Sequence, residues 1–227
     1  MQKRCGRNKG KTCANVSRQR KFVKDNESFS SPTASLEAIM TTLMIDAYEG
    51  RDVAVADISG AYLNAEFPKE KKVILKLNGI FVNIMCDVNP KYRQHIVFET
   101  TKREKKIKCL YVKVLSALYG CLESVLLWYE LYSSTLSKMG FRLNDYDRCV
   151  ANKMINGKQC TILFFVDDNK ISHADPQVVT DIIKELSRHF GDLAVSQGSK
   201  YDFLGMDIEI KDKLVYISMK KQIEEAL

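Results

Sequence analysis

The sequence predicts an α+β fold whose elements follow the ferredoxin-like order β-α-β-β-α-β. An alternating strand over residues 52–57 comes first, and an apolar segment over residues 161–166 continues through a turn into a short strand over residues 170–173. Apolar residues at helical spacing over residues 122–139 and 178–190 predict the two helices. Because the first and third strands are neighbours in this topology, the end of the first strand should lie beside the hairpin turn.

The first part of the chain is predicted to hold a helix ahead of the first strand. Apolar residues recur at helical spacing over residues 36–47, and Gly50 follows the end of this helix. A short alternating strand is predicted over residues 73–77. The polar stretch over residues 78–108 shows neither period, so it has no predicted element.

Turn-forming pairs divide the second half of the chain. An Asn-Gly pair at residues 156–157 predicts a hairpin between strands over residues 149–155 and 159–166. An Asp-Pro pair at residues 175–176 predicts the start of the second helix, which Gly191 ends. Two final strands are predicted over residues 201–210 and 214–219.

Carboxylates at the ends of core strands are the main chemical feature. Asp57 ends the first strand, and Asp167 and Asp168 follow the apolar one. Carboxylate oxygens are hard ligands that suit Mg²⁺, so this arrangement predicts a site for two Mg²⁺ ions, with Mn²⁺ as the alternative ion. Asp167, Asp168 and Asn169 also fit an ordinary tight turn, and Asp57 also fits a residue that caps the turn after its strand.

Five blocks resemble, in order, those of reverse transcriptases, and they are most similar to the copia-type enzymes of LTR retrotransposons. Residues 57–64 (DISGAYLN), 118–129 (LYGCLESVLLWY) and 165–168 (FVDD) resemble the three catalytic blocks. Residues 203–210 (FLGMDIEI) resemble the end of the palm, and residues 30–33 (SSPT) resemble the stretch before the first aspartate. The resemblance covers nearly the whole chain and implies an RNA-directed DNA polymerase.

That resemblance implies roles for the carboxylates in two-metal deoxynucleotidyl transfer. Asp57 and Asp167 are expected to bridge both ions. Asp168 is expected to support them, because neighbours on a tight turn cannot both point into one site. The implied partners are an RNA/DNA primer-template and deoxynucleoside triphosphates.

Substrate-binding residues are implied in the same way. Tyr62 would lie beneath the incoming sugar and exclude a ribose 2′-hydroxyl, with an ordinary core tyrosine as the alternative. Gly120 would occupy a position where any side chain would obstruct the nucleotide or the template. Lys9 and Lys11 match the spacing of the family's basic finger residues, which contact the triphosphate, and a solvated tail is the alternative.

The resemblance also implies a division of the chain. Residues 1–51 would form a basic N-terminal segment and helix of the fingers. Residues 52–219 would form the palm, with a fingers insert at about 69–110, and residues 220–227 would begin a truncated thumb. The oligomeric state is not predicted.

One block departs from the family's pattern. After the glycine, the family usually continues as LKQxPRxW, whereas residues 121–128 are CLESVLLW. Losing two cations and gaining an acid is unfavourable beside a polyanionic substrate. A catalytically decayed retroelement remnant, acting at most as a nucleic-acid or partner binding module, is therefore the alternative function. A nucleotide cyclase would need a Gly-rich hairpin at residues 165–168, which the sequence lacks.

Composition agrees with a globular protein that binds nucleic acid. Hydrophobic residues make up 45% of the 227 residues, and the net charge is +7. Lysine and arginine crowd residues 3–24 and 102–108, where they suit a phosphate backbone or form solvated segments.

The seven cysteines have no Cys-x-x-Cys spacing, and the histidines are not near them at ligand spacing. Reduced thiols without zinc are therefore expected. No stretch has transmembrane length, so we expect no membrane association. The resemblance implies an intracellular location, in a cytoplasmic retrotransposon particle or in the nucleus.

Overall fold

The computed structural model describes residues 13–15, 29–101 and 104–226, which form helices and antiparallel sheets. The helices are α1 Leu36–Glu49, α2 Ile80–Val88, α3 Ser124–Lys138, α4 Pro176–Phe190 and α5 Lys220–Ala226. The strands are β1 Asp52–Ile58, β2 Val73–Asn78, β3 Val97–Thr100, β4 Lys106–Val114, β5 Arg142–Leu143, β6 Val150–Ile155, β7 Lys158–Phe165, β8 Asp168–His173, β9 Leu193–Gln197, β10 Lys200–Phe203, β11 Met206–Lys211 and β12 Leu214–Ser218. The predicted α+β class is confirmed.

The largest sheet carries the strand order β5-β6-β7-β8-β1-β9, and its neighbours are antiparallel. Strand β1 lies between β8 and β9. The predicted first strand therefore does pair with β8, the second strand of the predicted hairpin. Helices α3 and α4 meet on one face of this sheet, where Phe190 packs against Trp128 and Tyr132. Helix α1 lies on the other face, where Asp46 contacts Lys170 of β8.

Two smaller sheets complete the fold, in the orders β2-β4-β3 and β10-β11-β12. The prediction of one strand over residues 201–210 is wrong, because a turn at Leu204 and Gly205, both at positive φ, separates β10 from β11. The fourth strand beside β1 is instead β9, which was not predicted. Among the described residues, no helix is long and apolar enough to span a membrane.

Local chemistry explains where the helices begin and end. Ser35 caps α1 by accepting a hydrogen bond from the Ala38 amide at 3.1 Å, and Gly50 ends it in a left-handed conformation with φ 64°. Asp175 caps α4 by accepting from the Gln177 amide at 2.9 Å. Helix α2 lies in the stretch without a predicted element. It is rich in residues that favour strands, and burial of Val82 and Cys86 beside Leu110 stabilises it.

Candidate active site

The three predicted carboxylates come together at the ends of neighbouring strands. Asp57 of β1 stands directly opposite Asp168 of β8 in the antiparallel register. Residues directly opposite on paired strands share one face of a sheet, so both side chains emerge on the same side. Asp167 precedes Asp168 in the turn, and its carbonyl accepts a hydrogen bond from the Ile58 amide at 3.0 Å. The hairpin tip is thereby joined to the end of β1.

The turn itself differs from the predicted one. Phe165 pairs with Asp168, so the two-residue loop is Val166-Asp167, and Asp168 and Asn169 belong to β8. The prediction of a turn over residues 167–169 is therefore wrong for its last two residues. Val166 has φ 58°, a conformation that a β-branched residue rarely adopts. Such strain costs about 1–3 kcal/mol and persists only where surrounding contacts impose it.

Three other carboxylates lie close enough to Asp168 to influence its charge. Burial, together with the charges of the Asp167, Asp57 and Asp202 carboxylates, raises its pKa to about 6. Asp202 was not predicted as a site residue. It lies on β10, in a different sheet, and nothing in its local sequence distinguishes it from other strand residues.

Two tyrosines line the same region. The Tyr119 hydroxyl donates to Oδ2 of Asp167 at 3.3 Å, and burial together with Asp167 raises the pKa of Tyr119 to about 12. The Tyr62 ring packs edge-on against Tyr119 with centroids 4.5 Å apart. Tyr62 is buried, as a core residue would be, yet Asp167 contributes to raising its pKa. Sequence reasoning singled out Tyr62 and missed Tyr119, which stands inside the second catalytic block.

Helix α3 supports the hairpin from behind. The Trp128 indole N–H donates to the Val166 carbonyl at 2.7 Å. The Tyr132 hydroxyl donates to Oδ1 of Asn169, whose amide group donates to the carbonyls of Asp167 at 2.9 Å and Ala56 at 3.3 Å. Asn169 was predicted only as a turn former. It is instead a fully buried link between the turn, β1 and α3.

The described side chains do not form a closed cluster of metal ligands. Within the part of the chain that the structure describes, no group of three or more His, Cys, Asp and Glu residues has metal-holding geometry. The chemistry of these side chains nevertheless suits a hard divalent cation. Asp57, Asp167 and Asp168 offer carboxylate oxygens, which such cations prefer as ligands. The raised pKa of Asp168 marks a place where added positive charge would be stabilising.

A comparison with protein families decides the ancestry. A family profile described as reverse transcriptase (RNA-dependent DNA polymerase) matches residues 2–227. The chain belongs to this reverse transcriptase family. The family is typical of copia-type elements, and it generally uses divalent metal ions. No curated protein matches the sequence.

Solved structures similar to this reverse transcriptase domain include telomerases. The apo telomerase of Candida tropicalis, truncated from its C-terminal domain, is 12% identical with a TM-score of 0.45, and the match covers 81% of this chain. Telomerases of Candida albicans and Candida tropicalis with a fragment of telomeric RNA are 11% and 12% identical, with TM-scores of 0.42 and coverage of 90% and 91%. The chain spans 40%, 38% and 37% of those three proteins.

The altered block of this reverse transcriptase domain is well packed. Glu123, the added acid, forms an ion pair with Lys71 at 2.6 Å. Ser124 donates to the Leu118 carbonyl at 2.7 Å and begins α3. The acid is therefore neutralised within the protein, and the changes have not disrupted the helix that supports the hairpin.

Gly120 has a structural reason to be glycine. Its φ is +91°, and a Cβ at this position would clash with the Ala14 carbonyl oxygen. The Ala14 amide donates to the Tyr119 carbonyl at 2.7 Å, so a short N-terminal stretch lies directly against the second catalytic block. Lys9 and Lys11, the predicted triphosphate contacts, lie outside the described residues.

Proposed function

We propose that this chain is the polymerase domain of a copia-like retrotransposon, an RNA-directed DNA polymerase that transfers deoxynucleotides with two Mg²⁺ ions. The observation that carries the proposal is the pairing of Asp57 with Asp168, with Asp167 at the tip of the same hairpin. The order β9-β1-β8-β7, with α3 and α4 on one face, supports a ferredoxin-like palm.

Asp57, Asp167 and Asp168 would hold the metal ions. Bound there, Mg²⁺ would neutralise charge on the reacting phosphate oxygens and activate the primer 3′-hydroxyl. The chain's own contribution is to fix the carboxylates at strand ends and to orient Asp167 through Tyr119. The Tyr119 hydroxyl limits the positions that the Asp167 carboxylate can adopt before substrate arrives.

Tyr62 and the basic residues are proposed to bind substrate. Tyr62 lies beside Tyr119 and close enough to Asp167 to be influenced by its charge, which supports a position beneath the incoming sugar. The RNA/DNA primer-template would lie along the basic segments, which include Lys9 and Lys11.

Primer extension with the 227-residue chain tests the polymerase proposal. We expect Mg²⁺-dependent extension on an RNA template, a loss of at least about 100-fold in Asp167→Asn, and nearly unchanged duplex binding, because the carboxylate acts on turnover. Asp145→Asn, a substitution of an exposed aspartate, is the matched control. Duplex binding without any wild-type extension would support the decayed remnant instead.

A salt titration tests the basic segment separately. Replacing Lys9, Lys11, Arg18, Arg20 and Lys21 with glutamine should reduce the slope of log K against log salt for duplex binding. The reduction should reach about 4.5 if each of the five residues neutralises one phosphate. An unchanged slope would identify the segment as a solvated tail.

A further inference from the structure

Two neighbouring hairpins of the largest sheet have two-residue loops, and their turn chemistry differs. The loop between β6 and β7 is Asn156-Gly157, with both residues at positive φ, as a type I′ turn requires. The loop between β7 and β8 is Val166-Asp167, in which a β-branched residue occupies a positive φ. The residues of the first loop favour its conformation by themselves. The second hairpin, β7 and β8 with the Val166-Asp167 loop between them, is called the carboxylate hairpin, and its loop needs contacts from other parts of the chain.

That support comes from hydrogen bonds to both carbonyls of the loop. Trp128 donates to the Val166 carbonyl at 2.7 Å, and Asn169 donates to the Asp167 carbonyl at 2.9 Å. Asn169 also donates to Ala56 of β1 at 3.3 Å. The loop is thereby attached to α3 on one side and to the strand of Asp57 on the other.

The two supporting side chains cannot easily move. Trp128 and Asn169 are 1% and 0% exposed. The Trp128 ring stacks on Tyr132 with centroids 5.3 Å apart and meets Phe190 edge-on at 5.2 Å. The Tyr132 hydroxyl fixes the orientation of the Asn169 amide by donating to its oxygen. An amide is needed here, since the position uses one acceptor and two donors.

We propose that Trp128 and Asn169 are positioning residues, which hold the strained Val166-Asp167 loop so that Asp167 and Asp168 stay facing Asp57. Asp57 stands directly opposite Asp168, and Asp167 is its neighbour in the loop, so these like charges favour separation of the loop from β1. The hydrogen bonds from Trp128 and Asn169 oppose that separation. The altered block has thus kept the part that supports the hairpin, since Trp128 ends it. The expected effect on metal binding rests on the proposed metal site, whereas the positioning of the loop does not.

Metal affinity measures that consequence. Trp128→Phe keeps an aromatic ring and removes the N–H donor, and we expect about a 10-fold weaker binding of Mn²⁺ by calorimetry, as for other groups that orient metal ligands. Tyr129→Phe is the control, because Tyr129 lies on the same helix but its hydroxyl donates to the Arg148 carbonyl. This variant should bind Mn²⁺ as the wild type does. Unchanged Mn²⁺ affinity in folded Trp128→Phe would overturn the proposal.

Relief of the strain separates positioning from ordinary packing. Val166→Gly removes the penalty of the positive φ, so Trp128→Phe/Val166→Gly should recover Mn²⁺ affinity to within about threefold of Val166→Gly alone. If the tryptophan only filled space in the core, the added glycine would not restore binding. If Trp128→Phe does not fold, Asn169→Ser in the presence and absence of Val166→Gly makes the same comparison.

Hydrogen exchange tests the positioning without any metal. The Ile58 amide donates to the Asp167 carbonyl, so its exchange reports whether the loop stays against β1. In Trp128→Phe this amide should exchange at least about 10-fold faster, while the Lys158 amide beside the Asn-Gly loop keeps its wild-type rate. Equal protection of Ile58 in both proteins would overturn the proposal. Absent Mn²⁺ binding in the wild type would count against the proposed metal site, and the exchange result would still decide the positioning.

Discussion

The two faces of β8 stabilise the carboxylate hairpin in different ways. On the face towards α3, Asn169 belongs to a neutral network in which each polar atom of its side chain has a partner. On the face towards α1, Lys170 forms a fully buried ion pair with Asp46. Side chains alternate between the two faces of a strand, so the neighbouring residues Asn169 and Lys170 belong to a neutral network on one face and a charged one on the other.

The charged face is incompletely paired. Arg51 reaches Oδ1 of Asp46 only at 3.9 Å, and its hydrogen bonds go to Glu49 and Thr161. Within the described residues, Oδ1 of Asp46, Oγ of Ser172 and the hydroxyl of Tyr201 are buried without a hydrogen-bond partner. Burial lowers the pKa of Lys170, and the nearby Asp46 carboxylate partly offsets this lowering. Neutral hydrogen bonds fix geometry at small cost, whereas a buried ion pair mainly makes its own removal costly.

Breaking the ion pair should give the largest effect on stability. Lys170→Met leaves the Asp46 carboxylate buried beside Arg51 alone, and we expect the free energy of unfolding to fall by about 3–5 kcal/mol in urea denaturation. The double variant Lys170→Met/Asp46→Asn should recover most of this loss, because no uncompensated carboxylate remains. A loss of less than about 1 kcal/mol in the single variant would show that water reaches the pair.

A pair of matched tyrosine variants tests the contrast between the faces. Tyr132→Phe removes the donor to Asn169 and leaves a buried acceptor unpaired, so the free energy of unfolding should fall by about 1–3 kcal/mol. Tyr201→Phe removes a buried hydroxyl without a hydrogen-bond partner, so stability should change by less than about 0.5 kcal/mol or increase. Thermal and urea unfolding of both variants measure the difference, and equal losses would contradict the contrast.

Sequence reasoning succeeded where structure follows from local chemistry. The alternation in β1, the Asn-Gly loop and the Asp-Pro start of α4 each depend on neighbours in the chain, and each is present. It failed where distant groups decide. Turn propensity favoured residues 167–169, but the strand pairing of Asp168 moves the loop one residue earlier.

The missed site residues have the same origin. Lys170 meets Asp46 across 124 positions of sequence, and Tyr119 meets Asp167 across 48. No local period or spacing encodes such contacts. The carboxylates could be predicted because each lies at or beside the end of an apolar strand pattern. The side chains that orient them could not, since their contacts exist only in the folded chain.

The smallest effect expected from a charged residue concerns Asp168. Its pKa is higher in the folded protein than in the unfolded chain, so between about pH 4 and 6 the folded state binds more protons. The free energy of unfolding should therefore fall as pH rises through this interval. Asp168→Asn removes the repulsion with Asp167 and Asp57, and should stabilise the protein at pH 7 by about 1 kcal/mol after allowance for solvent screening.

Urea denaturation in EDTA at several pH values measures both effects. The decline between pH 4 and 6 should be shallower in Asp168→Asn than in the wild type, and Asp145→Asn on the surface should keep the wild-type decline. Added Mg²⁺ should stabilise the wild type and not Asp168→Asn, because only the complete carboxylate set gains from the cation. A variant less stable than the wild type at pH 7 would mean that Asp168 is already neutralised by groups within the protein.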